Sequence, residues 1–182
     1  MRNALAALLT ALLLATSLAG CAGTPRGQLP GPVPSGVEFR AAPADAPPAP
    51  GLSLELTDGT TLDLAEQWHE RPVVLVFFET WCTRCEAQQG PINNVVEEYT
   101  DEVLFVGVAN LSDADDVAAY VEENDITYPV AVDPTGDAWL MYAVAEAPLV
   151  ALVSKDGSLL RGWPEGVTGR ELSTTIADLA VG

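Results

Sequence analysis

Two cysteines separated by two residues, Cys82 and Cys85, are the side chains in this sequence best suited to chemistry. They follow the apolar run 73–78, so the pair is predicted to lie where a buried strand gives way to a helix. The first turn of a helix stabilises an anion through its unpaired backbone N–H groups and the positive end of its dipole. There the pKa of a cysteine thiol can fall from about 8.5 to roughly 3.5–7.5. Cys82 is therefore predicted to be a nucleophilic thiolate, and Cys85 is placed one turn later to close a disulfide.

Length and composition limit the number of domains and the classes of partner. The first fifty of the 182 residues do not look like folded protein, and the remainder is long enough for one domain with one core. The net charge is −18, from 26 acidic and 8 basic residues. Such a surface repels phosphates, so nucleic-acid binding is disfavoured.

The N-terminus predicts export. Residues 1–20 combine a basic start, a short apolar stretch and small residues at the end, as in a signal peptide. The ending Leu18-Ala19-Gly20-Cys21 resembles the bacterial lipobox, which implies that the Cys21 thiol is lipidated and becomes the mature N-terminus. The alternative is an ordinary cleaved signal peptide with a stray cysteine. The lipobox reading predicts an extracytoplasmic protein anchored by lipid to the bacterial cell membrane.

Residues 21–50 are predicted to be a tether. Residues 22–50 contain eight of the fourteen prolines, together with glycine and alanine. Proline lacks an N–H and has a fixed φ, so this stretch is expected to be semi-extended and to hold the domain away from the lipid.

The region 51–182 alternates strand and helix patterns, which predicts an α/β domain with a mixed sheet flanked by helices. A hairpin comes first, and the unbroken apolar run that follows predicts a strand buried on both faces. Ser112 or Asp113 is expected to cap one helix and Thr168 another. The predicted strands are 52–56, 60–62, 73–78, 103–109, 130–132, 149–153 and 159–163, and the predicted helices are 82–99 (bent at Gly90-Pro91), 112–123, 137–144 and one after Thr168.

From about residue 51 to 180 the chain resembles the thioredoxin-like fold, and within it the extracytoplasmic TlpA/ResA type of thiol-disulfide oxidoreductase. A lone C-x-x-C is a weak signal, but one that follows a buried strand and precedes a proline some sixty residues downstream is strong. The matching segments are Asp58-Gly59, 62–64, 71–78, 81–85, 106–108, 128–130, 133–136, 142–144, Pro148 and Asp156-Gly157.

This resemblance implies a mechanism and a set of site residues. Cys82 attacks a substrate disulfide to form a mixed disulfide, and Cys85 resolves it, with no cofactor beyond this pair and no metal. Pro148 matches the family's cis-proline, whose loop lies against the cysteines and contacts the substrate backbone. The residues expected to support or contact substrate are Trp81, Thr83, Arg84, Ala147 and Pro148.

The implied partners are protein thiols or disulfides of the cell envelope, together with a membrane electron donor or acceptor. The resemblance favours reduction of specific substrates, such as apocytochromes c, over general oxidation. Redox proteins of this kind span about −270 to −120 mV, and a few charges near one sulfur can move a protein across much of that range. Arg84 favours the thiolate, whereas Glu79 and Glu86 oppose it.

The sequence departs from the family at two carboxylates. Val76 stands where thioredoxins bury an acid, and Gln88 stands where TlpA/ResA-type proteins commonly have a glutamate. A proton for Cys85 then has to come from water or from a glutamate near the pair. The candidate relay residues are Glu79, Glu86 and Glu146.

Two other functions are open at this point. A copper- or haem-handling module would use both cysteines as ligands and recruit a histidine, and His69 is the sole histidine in the sequence. A redox-inactive binding module would keep Cys82–Cys85 as a structural disulfide, although so short a loop constrains the unfolded chain little.

Overall fold

The computed structural model describes residues 27–110 and 112–182. The predicted signal peptide and the lipobox cysteine Cys21 lie outside the described residues. The described part contains seven strands, namely β1 (Ser53–Leu56), β2 (Thr61–Asp63), β3 (Val73–Phe78), β4 (Leu104–Asn110), β5 (Val130–Asp133), β6 (Leu149–Val153) and β7 (Leu159–Trp163). It also contains five helices, namely α1 (Leu64–Gln67), α2 (Thr83–Glu98), α3 (Ala114–Glu123), α4 (Asp137–Met141) and α5 (Gly169–Leu179).

The strands form one mixed sheet in the order β2-β1-β5-β4-β3-β6-β7. Strands β3, β4 and β5 are parallel, whereas β6 is antiparallel to β3. In β3 all six residues are buried, as the unbroken apolar run predicts. Because β3 pairs with a neighbour on each edge, its C-terminal end is fixed from both sides, and that end leads directly into the cysteines.

The parallel strands give the domain two distinct poles. The cysteine pole is the end at which β3 finishes and residues 79–85 begin. The basal pole is the opposite end, formed by the segments that enter the parallel strands, residues 71–72, 101–103 and 127–129. The hairpin turn 155–158 joins the basal end of β6 to β7 and therefore lies at the basal pole.

Helix ends follow local signals. Thr168 caps α5 by accepting a hydrogen bond from the Glu171 amide at 3.3 Å, as predicted. Asp113 is the N-cap of α3, but its side chain makes no capping bond. Helix α4 ends at Met141 rather than at the predicted residue 144, because Ala143 adopts a left-handed backbone with φ 52° that a helix cannot continue through. Helix α2 runs on through Pro91.

Residues 27–50 differ from the expected free tether, since they lie against the domain; we call them the N-terminal strap. The Gly27 amide bonds the carbonyl of Thr127 at 2.9 Å, and Phe39 forms a β-bridge with Val181. Proline-rich sequence is expected to be semi-extended, and an extended chain leaves its remaining N–H and C=O groups free to bond a neighbouring surface.

Candidate functional site

The two cysteines sit at the start of α2, as the spacing predicts. Cys82 is the N-cap residue, and its sulfur accepts a hydrogen bond from the Cys85 amide at 3.1 Å. The two sulfurs form a disulfide with an S–S distance of 2.08 Å. Cys85 is almost fully buried at 1% exposure, whereas Cys82 keeps 8% and lines an open groove. Cys82 is thus the more accessible cysteine of the pair and the one that lines the groove, whereas Cys85 is shielded.

An open groove of about 200 Å³ surrounds the outer cysteine. Its walls come from two places, the start of α2 and the loop that precedes β6. The lining residues are Glu79, Trp81, Cys82, Thr83, Arg84, Glu146 and Ala147. The sequence predicted every one of these as a site or relay residue, and the structure brings them together although Cys82 and Glu146 are 64 positions apart.

The peptide bond between Ala147 and Pro148 is cis, as the resemblance implies. Ala147 is buried and lines the groove, and Leu149 begins β6 immediately afterwards. Because β6 pairs with β3, with Leu149 opposite Phe77, the proline loop is held at the cysteine pole beside the start of α2. The sheet register therefore positions this loop against the cysteines.

Arg84 bridges the two walls of the groove. Its Nη2 donates to Glu146 Oε1 at 3.1 Å and to the backbone carbonyl of Ala147 at 3.2 Å. The pair is solvent-exposed, with 54% of the Arg84 side chain and 68% of the Glu146 side chain accessible. The guanidinium therefore places a positive charge at the first turn of α2, and the Glu146 carboxylate partly offsets it.

The three candidate relay glutamates differ in their placement. Glu79 and Glu146 line the groove, and burial raises the pKa of the Glu79 carboxyl above its ordinary value of 4.5. Glu86 is exposed on α2 and is not among the groove residues. Of the three, Glu79 is the one whose environment favours holding a proton beside the cysteines.

Trp81 is 74% exposed, which is unusual for so large an apolar side chain. It lies immediately before Cys82 and forms part of the groove wall. The other three tryptophans, Trp68, Trp139 and Trp163, are buried. An exposed ring next to the outer sulfur provides a surface for an incoming polypeptide.

Gln88 holds a structural bond that sequence reasoning missed. Its Oε1 accepts from the Val167 amide at 2.9 Å, which ties α2 to the loop after β7. The side chain also fills the space beside Gly166, whose φ of 82° lies in the left-handed region. A carboxylate in this position would accept the same bond, so the glutamine preserves the link while removing the charge.

Gln89 was also missed, because polar residues on a helix are expected to face water. It is 1% exposed, and its Oε1 accepts from the Tyr128 hydroxyl at 2.7 Å. Tyr128 lies next to the basal start of β5, so this bond joins α2 to the segment that enters β5. Burial raises the pKa of Tyr128 far above its ordinary value of 10.0, so the hydroxyl remains a donor.

A second groove, of about 550 Å³, lies beside the first and shares Glu146 with it. Its walls are the loop before β6 and the end of β7. The residues that line it are Ala143, Ala145, Glu146, Leu149 and the stretch 161–166. Glu146, which is paired with Arg84, lines both grooves.

Metal ligation finds no support within the described ranges. No group of three or more His, Cys, Asp or Glu side chains in this part of the chain is arranged to hold a metal ion. His69 is exposed and precedes β3, whereas the cysteines follow β3, so the strand separates them. The histidine that the copper or haem alternative requires is therefore at the wrong pole.

None of the helices in the described residues is long and apolar enough to cross a membrane.

Comparisons with known proteins agree with this geometry. The thiol-disulfide oxidoreductase ResA of Bacillus thuringiensis subsp. konkukian is 28% identical over 115 residues, covering 62% of this chain and 65% of ResA. The chain thus spans just under two thirds of the length of this curated relative. A thioredoxin-like protein of Haemophilus influenzae is also 28% identical, over 104 residues, covering 57% of this chain and 61% of that protein.

Solved structures share the fold. A secreted Mycobacterium tuberculosis disulfide oxidoreductase homologous to E. coli DsbE superposes with a TM-score of 0.64 at 24% identity, covering 70% of this chain and 96% of that one. The exposed lipoprotein thioredoxin Etrx1 of Streptococcus pneumoniae gives 0.64 at 24% identity, covering 71% and 100%. The predicted thioredoxin-like α/β fold with a central mixed sheet is confirmed.

A family model described as AhpC/TSA matches residues 46–162, which include β1 to β6, most of β7, the cysteine pair and the cis-proline. That match covers more than half of the chain. This chain belongs to the AhpC/TSA family.

Proposed function

We propose that this protein is a thiol-disulfide oxidoreductase that works through Cys82 and Cys85. The observation that carries the proposal is the Cys82 sulfur, which caps α2 and lines a groove whose other wall is the cis-proline loop. The names of the ResA relatives support the same activity. A structural disulfide would have no need of an open groove around its outer sulfur.

The proposed exchange mechanism follows from the difference in burial between Cys82 and Cys85. In the reduced protein the Cys82 thiolate attacks one sulfur of a substrate disulfide, and the second substrate sulfur leaves as a thiolate that takes up a proton. Cys85 then loses its proton and attacks the Cys82 sulfur. This step releases the first substrate sulfur and oxidises the pair, so two electrons pass to the substrate. The reverse sequence oxidises a substrate dithiol.

Glu79 is the proposed proton carrier for Cys85. It lies in the groove, and the pKa of its carboxyl is raised. A raised pKa makes the carboxylate a better acceptor of the Cys85 proton and lets the protonated carboxyl return that proton later. Glu146 is already engaged with Arg84, and Glu86 lies outside the groove, so both are weaker candidates.

The proposed substrates are proteins of the cell envelope, and the proposed direction is reduction. Cytochrome c maturation is one such role, with apocytochromes c as substrates and a membrane protein supplying electrons. The proposed location is extracytoplasmic, with the chain anchored to the bacterial membrane by lipid on Cys21. The pneumococcal structural neighbour is itself described as an exposed lipoprotein, which supports this arrangement for a domain of the same fold.

Trapping of exchange partners tests the activity. Cys85→Ser removes the resolving sulfur and is expected to accumulate a mixed disulfide through Cys82 that reducing agent releases. Cys82→Ser is the matched control, since it keeps one cysteine of the pair but removes the one that lines the groove. Adducts of equal amount in both variants, or in neither, would contradict the proposal. Insulin reduction by the wild type measures turnover in parallel.

Membrane fractionation tests the anchor separately. Cys21→Ser is expected to leave the protein soluble or unprocessed while the purified domain retains insulin reductase activity. An unchanged membrane fraction would refute lipid anchoring without affecting the exchange chemistry.

A further inference from the structure

Residues 27–49 of the N-terminal strap contact the domain around the pole that lies opposite the cysteines, and only the last residue, Pro50, lies elsewhere, where its carbonyl accepts from the Tyr142 hydroxyl at 3.0 Å. The Gly27 amide bonds Thr127, and the Gly31 amide donates to Asp101 Oδ1 at 2.7 Å. Thr127 and Asp101 belong to the segments that enter β5 and β4, which define the basal pole. The first described residue of the chain is therefore fixed at the end of the domain farthest from Cys82.

A buried arginine secures this attachment. Arg71 is 3% exposed and donates from Nη2 to the Gly31 carbonyl and from Nη1 to the Asp101 carbonyl, each at 2.7 Å. Hydrogen bonds from a charged donor are stronger than those between neutral groups, and a buried guanidinium that lost them would destabilise the fold. The contact at residues 27–31 is thus part of the folded domain.

The strap stays on the same side as far as Ala49. Arg40 Nε donates to the carbonyls of Ala177 and Val181, both at 3.0 Å, beside the end of α5. Further along, the Ala49 amide bonds the Gly157 carbonyl at 2.8 Å, in the basal hairpin turn. The strap therefore follows the basal pole up to Ala49, and the chain then crosses to the other end of the sheet, where β1 begins antiparallel to β5.

The short link between residues 21 and 27 limits how the domain can be oriented relative to the membrane. Residue 21 is six steps before residue 27, and at most about 3.6 Å per residue this gives a reach of about 22 Å. The six residues of β3 alone separate the poles by about 20 Å at 3.3 Å per residue, and loops add to this at both ends. With the cysteine pole facing the membrane, the link from residue 21 to residue 27 would have to be fully extended along the side of the domain.

We propose that the strap makes the basal pole the membrane-facing surface, so that the cysteine groove points away from the bilayer into the aqueous phase. This inference rests on the proposed lipid anchor at Cys21. A partner protein that exchanges electrons with Cys82 must therefore carry its own cysteines at least about 20 Å above the lipid surface. Cysteines at the level of the bilayer surface do not reach the groove.

Energy transfer to a membrane dye tests the orientation. The full-length chain, processed as a lipoprotein and reconstituted in vesicles containing a headgroup acceptor dye, carries one donor dye in a Cys82→Ser, Cys85→Ser background. Thr83→Cys labels the cysteine pole, and Glu70→Cys is the matched basal label, since both positions are exposed. We expect clearly weaker transfer from residue 83, corresponding to a distance about 20 Å greater. Equal transfer, or stronger transfer from residue 83, overturns the proposal.

Two further measurements separate the possible causes. Inserting about 12 glycine and serine residues between Arg26 and Gly27 lengthens the link from residue 21 to the domain by roughly 40 Å when extended. The difference in energy transfer between the two labelled positions should then shrink. An undiminished difference would show that the strap does not set the orientation. Hydrogen exchange on the full chain should find the amides of Gly31, Arg40 and Ala49 protected, and rapid exchange there also overturns the proposal.

The same preparations distinguish this inference from the function on which it rests. Protein that does not bind the vesicles overturns both the anchor and the orientation. Membrane-bound protein with the cysteine pole at the lipid overturns the orientation alone. Insulin reduction by the parent protein, with both cysteines intact, reports on the exchange activity independently of either result.

Discussion

The Arg84–Glu146 bridge is expected to set the strength of Cys82 as a nucleophile. Arg84 lies between the two cysteines in the first turn of α2, and Glu146 offsets its charge from across the groove. Removing the carboxylate with Glu146→Gln should stabilise the thiolate and lower the pKa of the Cys82 thiol. Removing the cation with Arg84→Met should raise that pKa. The double variant should return close to the wild type, since both charges are gone.

The size of these shifts follows from the exposure of the pair. More than half of each side chain is accessible, at 54% and 68%, so solvent screens the charges. Exposed charge pairs interact by about 0.2–1 kcal/mol. A charge of similar exposure beside the Cys82 thiolate is expected to act on it with an energy of the same order. At about 30 mV for 1.4 kcal/mol, the reduction potential should move by roughly 4–20 mV, upward for Glu146→Gln and downward for Arg84→Met.

The assay is the ultraviolet absorbance of the thiolate against pH in the reduced protein, with the potential measured by equilibration with glutathione above the thiol pKa. Both shifts should shrink in about 1 M salt, where the Debye length is about 3 Å. A shift of the same sign in both single variants would refute the electrostatic reasoning and indicate altered packing of the proline loop. Unchanged potentials in both would show that the bridge lies too far from the sulfur to matter.

Three further outcomes are expected. Burial raises the pKa of the Glu79 carboxyl, so the folded state favours its protonated form. The resulting contribution to the free energy of unfolding is present below pH 4.5 and is lost as the pH rises through the folded-state pKa. Glu79→Gln should therefore raise the melting temperature at neutral pH but not below pH 4.5. Gly166→Ala combines a left-handed φ with a clash against Gln88 and should cost about 1–3 kcal/mol in urea unfolding, partly recovered by adding Gln88→Ala. Gln89→Leu leaves the buried Tyr128 hydroxyl unpaired at a cost of about 1–3 kcal/mol, and Tyr128→Phe in the same chain should restore most of it.

Each of these has a result that would contradict it. A Glu79→Gln variant stabilised equally at acid and neutral pH would mean that the carboxyl does not titrate as described. Full stability of Gly166→Ala would show that the loop after β7 adapts freely. Equal losses in the single and double variants at residues 89 and 128 would mean that packing, and not the hydrogen bond, stabilises that contact.

The local parts of the fold were predictable because their signals are local. The run 73–78 predicts a buried strand from composition alone, and all six residues are buried. The hairpin of β6 and β7 has the predicted bounds, since its turn residues lie between two apolar runs. Helix α4 was predicted too long because the left-handed backbone at Ala143 has no sequence signal; that conformation is rare for alanine and depends on surrounding contacts.

The strap was misjudged for a related reason. Proline content identifies a chain that cannot join a helix or the interior of a sheet, and residues 27–50 form neither. It cannot identify whether such a chain finds partners on a distant surface. The partners of Gly31 are the side chain of Asp101 and the buried Arg71, 70 and 40 positions away, and such separations leave no periodic pattern.

By itself, the sequence determined the arrangement on which the chemistry depends: two sulfurs one helical turn apart after a buried strand. These properties depend on residues close together in the chain. Only the tertiary structure decided what faces the outer sulfur, because Glu146 and Ala147 reach Arg84 through the pairing of β6 with β3. It also decided that the N-terminal strap lies at the opposite pole, since that position depends on hydrogen bonds between segments that folding alone brings together.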